Sequence, residues 1–238
     1  MKLCLVHTAD LHGRLDGARA QRLRELKHER GALWLDCGDA IAAPNTLAFP
    51  WPEPAIRWLN EAGCDAMCLG NREYAWYRRG LLAKTGRARF PVLTANLVPR
   101  PGEDLGHLQR WAVLRSPEGV RVGVLGLTEV MVQPGSFVSR FAAGTFLDPI
   151  EAAREAVAAL RSEADVLVAL THYGRADEVE LAAACPELDA VFCGHWHANG
   201  PSLEMIGHTA VARTFHHGRG ASIMTLADGV WRQEAFPF

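Results

Sequence analysis

Seven side chains of metal-ligating type stand directly after apolar, strand-like runs of this sequence. They are Asp10 and His12 in Thr-Ala-Asp-Leu-His, Asp39 in Asp-Cys-Gly-Asp, Asn71 in Leu-Gly-Asn-Arg-Glu, His172 in Leu-Thr-His, and His195 and His197 in Cys-Gly-His-Trp-His. Carboxylate, amide oxygen and imidazole together suit borderline divalent ions, and no thiolate is among them, which sets the pattern apart from a structural zinc site. Two such ions about 3.5–4 Å apart need a shared carboxylate, and held so they activate a water and clamp a phosphoryl oxygen. Two dications against two aspartates and one hydroxide leave the centre positive, so it attracts a phosphate ester. A lone histidine after a strand is usually an ordinary core or surface residue. Five strand ends that deliver two Asp, one Asn and four His form a pattern that chance rarely makes.

The elements that must position these groups alternate strand and helix. Apolar runs at 2–7, 32–36, 66–69, 90–95, 120–127, 165–171 and 189–193 predict strands, and the patterns at 17–30, 53–62 and 148–162 predict helices. Gly31 and Gly63 stand where a helix C-terminal glycine belongs. Asp148 before Pro149, with Glu151 three residues on, marks the start of the third helix. After residue 205 the pattern turns to short strands at 209–215, 221–227 and 230–236. In open α/β sheets, ligands bind beyond the carboxyl ends of the strands, so this alternation places all five motifs on one rim.

The chain of 238 residues reads as one domain over 1–238, with 27 acids against 25 bases and ten histidines against three tyrosines. That near-neutral balance argues against nucleic-acid or membrane adhesion driven by charge. The first apolar run is too short for a signal-peptide core and none approaches a membrane span, so the expected compartment is the cytoplasm. Cys4, Cys37, Cys64, Cys68, Cys185 and Cys193 form no Cys-x-x-Cys pair and read as buried thiols. Charge is uneven: residues 72–89 carry six bases and one acid, while 148–189 carry ten acids and three bases. The first run reads as a solvated face or as a positive rim for an anionic substrate. No phosphate-binding Walker loop, Gly-x-Ser-x-Gly elbow or His-Glu-x-x-His helix is present.

The motif set Asp10-x-His12, Gly38-Asp39, Gly70-Asn71, His172 and Gly194-His195-x-His197 resembles the calcineurin-like metallophosphoesterase superfamily. The flanking stretches HTADLHGRL, LDCGD, FPVLTANLV, GVLGLT, LTHYG and LDAVFCGHWH are similar to the N-terminal metallophosphatase domain of 5′-nucleotidases. The likeness runs from Leu3 to the strands after Gly207. It implies an α/β fold, a four-layer α-β-β-α sandwich of two mixed sheets flanked by helices. It also implies two divalent ions, Mn²⁺ ahead of Fe, Zn²⁺, Ni²⁺ and Mg²⁺. By resemblance, Asp10, His12, Asp39 and His197 hold one ion, and Asp39 as bridge, Asn71, His172 and His195 hold the other.

Two departures qualify the resemblance. The separate C-terminal domain with which 5′-nucleotidases grip base and ribose is expected to be absent from residues 1–238. The family's Gly-Asn-His-Glu-Phe-Asp becomes Gly70-Asn71-Arg72-Glu73-Tyr74-Ala75, which removes the His and Asp of a catalytic dyad together. Arg72 cannot protonate a leaving group, but its guanidinium can fork onto phosphoryl oxygens and is the catalytic candidate here. The expected activity is attack of a metal-bridging hydroxide on phosphodiesters or activated monoesters, with nucleotide-derived esters among the candidates. The alternative is a catalytically weak or inactive scaffold, with Trp51, Trp58 and Trp76 as a docking patch. Tyr173, Trp196 and His217 are candidate substrate contacts. Cys37 reads as a small buried filler and His7 as structural. The expected partner is a small phosphate ester, without membrane or strong nucleic-acid binding.

Overall fold

Both faces of the first strand are apolar, and this decides the layering. In the computed structural model, which describes residues 1–45, 53–197 and 200–238, Leu3 and Leu5 face one core while Cys4 and Val6 face another. The first half of the chain runs β1 (Lys2–Thr8), α1 (Gly17–Arg30), β2 (Leu33–Asp36), α2 (Pro54–Ala62), β3 (Ala66–Cys68), α3 (Arg78–Thr85), β4 (Val92–Leu93), β5 (Leu97–Val98), β6 (Leu108–Gln109), β7 (Trp111–Arg115) and β8 (Arg121–Thr128). The second half runs β9 (Thr145–Phe146), α4 (Pro149–Leu160), β10 (Val166–His172), α5 (Arg175–Ala184), β11 (Ala190–Cys193), β12 (Ser202–Ile206), β13 (Thr209–Arg213), β14 (Gly220–Ala227) and β15 (Val230–Pro237).

One large sheet has the order β15-β14-β1-β2-β3-β4-β6 and a second β12-β13-β11-β10-β8-β7, both mixed, while β5 and β9 pair as a separate two-stranded antiparallel sheet. A core of Leu3, Leu5, Leu35, Val124, Val168 and Phe192 lies between them. Helices α1 and α2 cover the outer face of the first sheet, and α4 and α5 that of the second. The result is the expected α-β-β-α sandwich.

The expected helices at 17–30, 53–62 and 148–162 form, and Asp148 caps α4 by accepting from the amides of Ile150 and Glu151. The run at 90–95 keeps only two residues as strand, because its flanks leave the sheet for turns. Helices α3 and α5 and strands β5, β6, β7, β9 and β12 add to the expected set. No helix among the described residues is long and apolar enough to cross a membrane. All six cysteines are free and buried.

Candidate metal centre

Strands β1, β2 and β3 run parallel, as do β10 and β11, so their carboxyl ends emerge together on each sheet. The loops that follow are locked by backbone bonds: the Asp10 amide donates to the Gly38 carbonyl (2.9 Å) and the His12 amide to the Asp39 carbonyl (2.8 Å). Gly38, with φ 89°, and Gly70 let the second and third loops touch. A Cβ on Gly38 would stand 2.7 Å from the Gly70 amide nitrogen, and one on Gly70 would stand 2.3 Å from that of Asp39.

On these loops all seven expected donors converge. The deepest is His172, fully buried, with Nδ1 2.8 Å from the Cys37 carbonyl and Nε2 2.8 Å from Asn71 Oδ1 and 3.3 Å from Asp39 Oδ1. His195 Nδ1 lies 2.9 Å from the same Asn71 oxygen, and Asn71 Nδ2 donates to Asn45. Opposite them, His12 Nε2 is 3.5 Å from Asp10 Oδ1 and 3.4 Å from Asp39 Oδ2, and His197 Nε2 is 3.4 Å from Asp10 Oδ1. Asp39 stands between the two groups.

The electrostatics fit a cation. Burial alone would raise the Asp39 pKa, but His172, His12 and the Arg72 amide hold it far below the usual carboxylate range. Burial opposes a charge on His172, yet Asp39 and Asp10 push it up to about 10. Asp10 Oδ1 and His12 Nε2 are buried and have no hydrogen-bond partner among the described residues. Buried polar atoms left without a partner are rare, and a cation site is one setting that produces them. Ligand atoms of Asp10, Asp39 and His172 lie within 4.8 Å of one another, and so do those of His12, His197 and His217. The donors present could hold divalent ions, which would take the place of the protons that His12 and His172 otherwise share with the aspartates.

Glu73 is a residue of the site that spacing alone did not reveal. Its fully buried carboxylate accepts from the amides of Asp39, Ala40, Ile41 and Gly70 at 2.8–3.2 Å and so sets the loop that carries Asp39. Burial, with the charge of Asp39 beside it, raises its pKa to about 7. Its trace in the sequence was its place in Gly-Asn-x-Glu.

The other candidates divide. Arg72 is half-exposed at the rim, with Nε 3.6 Å from Asp39 Oδ2 and Nη1 3.4 Å from the Ala42 carbonyl. Ala75, where the family has its aspartate, is buried in apolar core. Trp196 is exposed, but Tyr173 is buried among α4 and α5 residues, because the residue after His172 points to the helix side, and it has no face free for a base. Trp58 packs against the core, Trp76 is exposed, and Trp51 lies outside the described residues, so no patch of three tryptophans is assembled among them. Cys37 is a buried filler against His7, and His7 stacks on Phe192. The basic run scatters: Arg72 faces the site, Arg78 pairs with Asp104, and buried Lys84 donates to the carbonyls of Pro44, Arg72 and Tyr74. A cavity of about 660 Å³, lined by Gly13, Arg14, Arg19, His217 and Arg219 among others, opens beside His12.

Comparison with known proteins agrees with this picture. The chain is 28% identical over 224 residues to a probable 5′-nucleotidase of Treponema pallidum, matching 82% of this chain and 37% of that one. Its fold superimposes on a 5′-nucleotidase precursor from Thermus thermophilus with TM-score 0.81 at 24% identity, over 100% of this chain and 55% of that one. The calcineurin-like phosphoesterase YfkN from Bacillus subtilis gives TM-score 0.73 at 21% identity, over 99% and 90%. The chain thus spans well under half the length of the T. pallidum relative. The sequence profile of calcineurin-like phosphoesterases matches residues 5–199, which takes in all seven donors on their strand ends, and this chain belongs to that family.

Proposed function

We propose that this chain hydrolyses small phosphate esters with two divalent ions, Mn²⁺ first among the candidates. Asp10, His12, Asp39 and His197 would hold one ion, and Asp39, Asn71, His172 and His195 the other. The observation that carries this reading is the pair of buried atoms, Asp10 Oδ1 and His12 Nε2, that have no hydrogen-bond partner among the described residues and face the Asp39 carboxylate that His172 approaches from the far side. When bound, the ions supply Lewis acidity at the phosphoryl oxygens and make a water nucleophilic at neutral pH.

The chain's own residues do the rest. Glu73 and the loop glycines hold Asp39 in place without the help of substrate. Arg72, at the open rim, can turn from Ala42 to donate to phosphoryl oxygens as charge builds on them. A guanidinium is a poor general acid, so departure of the alcohol goes unaided, which favours phosphodiesters and activated monoesters. The names of the relatives favour nucleotide-derived esters, and the cavity suits an anionic substrate through Arg14 and Arg219, since its third arginine, Arg19, is paired with its one acid, Asp16. Six free, buried thiols are in keeping with a cytoplasmic setting.

The test is a substrate panel with added Mn²⁺, together with metal content per chain. A bis-aryl phosphodiester should be turned over faster than a simple alkyl monophosphate, and the reverse order refutes the diester preference. Two ions per chain without turnover of any ester would support the scaffold reading instead.

A further inference from the structure

His217 lies in the turn that leads into β14. That strand runs antiparallel to β1, with Ser222 opposite His7, so the start of β14 sits over the end of β1. The His217 amide accordingly donates to the Asp10 carbonyl at 2.6 Å. Its ring centroid is 4.5 Å from that of His12 and 4.8 Å from that of His197. One ligand nitrogen from each of the three rings lies within 4.8 Å of the others. Nitrogens sharing one tetrahedral ion at about 2.1 Å stand about 3.4 Å apart, so the three rings reach a common ion with a closing movement of at most about 1.4 Å.

Two further observations separate His217 from a bystander. The first is its support: His216 Nδ1 lies 2.6 Å from His217 Nδ1, and the His216 ring stacks on His197 at 4.7 Å. A ligating imidazole is ordinarily fixed through the nitrogen that does not face the ion, and donation from Nδ1 leaves Nε2 its lone pair. The second is its backbone. Six non-glycine residues among those described have left-handed φ: Asp10, His12, Asp39, His195, His217 at 55°, and Asp228 in the turn between β14 and β15. Such a conformation costs free energy and persists where the surroundings enforce it, often at functional sites. Apart from the hairpin aspartate, His217 shares it only with proposed metal ligands.

We infer that His217 is a third imidazole ligand on the Asp10 side of the centre, an eighth donor beyond the seven named above. With three imidazoles against two on the other side, this half prefers Zn²⁺, Co²⁺ or Ni²⁺ to Mn²⁺ or Mg²⁺. The inference rests on the two-ion reading, and its test separates the two.

Metal-free wild type and His217→Gly are titrated with Co²⁺, following the visible absorption of the bound ion and the metal content per chain. Glycine is the replacement because it accepts the left-handed backbone without strain. Wild type should take up two Co²⁺ per chain. The variant should bind one of them tenfold or more weakly, with an altered absorption band, and added imidazole should restore both. A merely structural residue would not respond to imidazole. If wild type binds two ions and the variant matches it in both affinities and spectrum, His217 is no ligand and the two-ion reading stands. A weakened affinity with an unchanged band that imidazole does not restore also overturns the assignment. If wild type binds no Co²⁺, the two-ion reading fails and takes this inference with it.

Discussion

His172 and His197 face the same centre from surroundings that have little in common. His172 is fully buried with both ring nitrogens engaged, one on the Cys37 carbonyl and one on Asn71, and Asn71 is held in turn by Asn45. His197 keeps 37% of its side chain exposed, and the Asp10 oxygen it approaches has no hydrogen-bond partner among the described residues. The deep half of the centre is therefore woven into the fold's own hydrogen bonds, and the shallow half is left electrostatically incomplete. Removing a donor from the deep half damages the protein as well as the site. In the shallow half the same change damages the site alone.

Asp39 belongs to both halves, so its replacement should have the largest effect. Asp39→Asn keeps the shape but removes the charge facing His12 and His172. Metal content should fall below one ion per chain, and kcat/KM for a chromogenic diester should drop on the order of 10³-fold, the equivalent of several kcal/mol of lost transition-state stabilisation. Two ions retained in Asp39→Asn would show that Asp39 does not bridge.

The contrast itself is broken or kept by comparing His172→Ala with His12→Ala. Both should lose metal. Only His172→Ala should also unfold earlier in the metal-free state, by about 2–4 kcal/mol, because it opens a cavity and strands the buried Cys37 carbonyl. His12→Ala removes only the long contacts to Asp10 and Asp39, at 3.4–3.5 Å, and should cost less than about 1 kcal/mol. Equal urea midpoints for the two variants would dissolve the distinction between halves. Glu73→Gln lies between these extremes. It keeps one acceptor oxygen for four amides, so metal affinity should fall about 10–100-fold through the misplaced Asp39 loop.

The strands of the core were legible because burial on both faces writes them as unbroken apolar runs, and the seven donors because each follows such a run. Helix α3 was not legible. It begins after Tyr77 with no side-chain cap, carries Gly80 near its start and has no acid in its first turn. Helix α5 likewise begins without a side-chain cap. Glu73 escaped because its work is to accept backbone amides from two loops, which leaves no spacing between side chains to notice. Tyr173 was misplaced for a similar reason: adjacency to His172 in sequence says nothing about which side of the sheet end a side chain takes. That His217 reaches His12 depends on β14 lying antiparallel to β1, a long-range pairing that no local pattern encodes.

Arg72 tests the rim, where the contrast between halves should fade. It is half-exposed, and its contacts with Asp39 (3.6 Å) and the Ala42 carbonyl (3.4 Å) are long, so Arg72→Ala should change stability and metal content little. The loss in kcat/KM should be about tenfold to a hundredfold, as for removal of one charge-stabilising donor. An unchanged kcat/KM would take Arg72 out of the mechanism.

An effect confined to stability, with no change at the site, lies one layer beneath the deep half. His7 is fully buried, stacked on Phe192, with Nε2 3.3 Å from Cys37 Sγ, and Cys37 presents the carbonyl that holds His172. Burial lowers its pKa to about 3, against the opposing pull of Asp10 and the Cys193 backbone. The unfolded chain takes up a proton near pH 6.5 and the folded protein does not until about 3, so stability is full above pH 6.5 and declines as pH falls through that window. The slope is at most about 1.4 kcal/mol per pH unit, or about 2 kcal/mol between pH 6.5 and 5. His7→Phe keeps a ring against Phe192 and removes the titration. With metal stripped from both proteins so that the remaining histidines contribute equally, the urea midpoint of wild type should fall from pH 6.5 to 5 by that much more than the variant's. Parallel declines would mean that His7 is charged as readily in the folded protein as in water, and that the layer behind His172 is wetter than its packing implies.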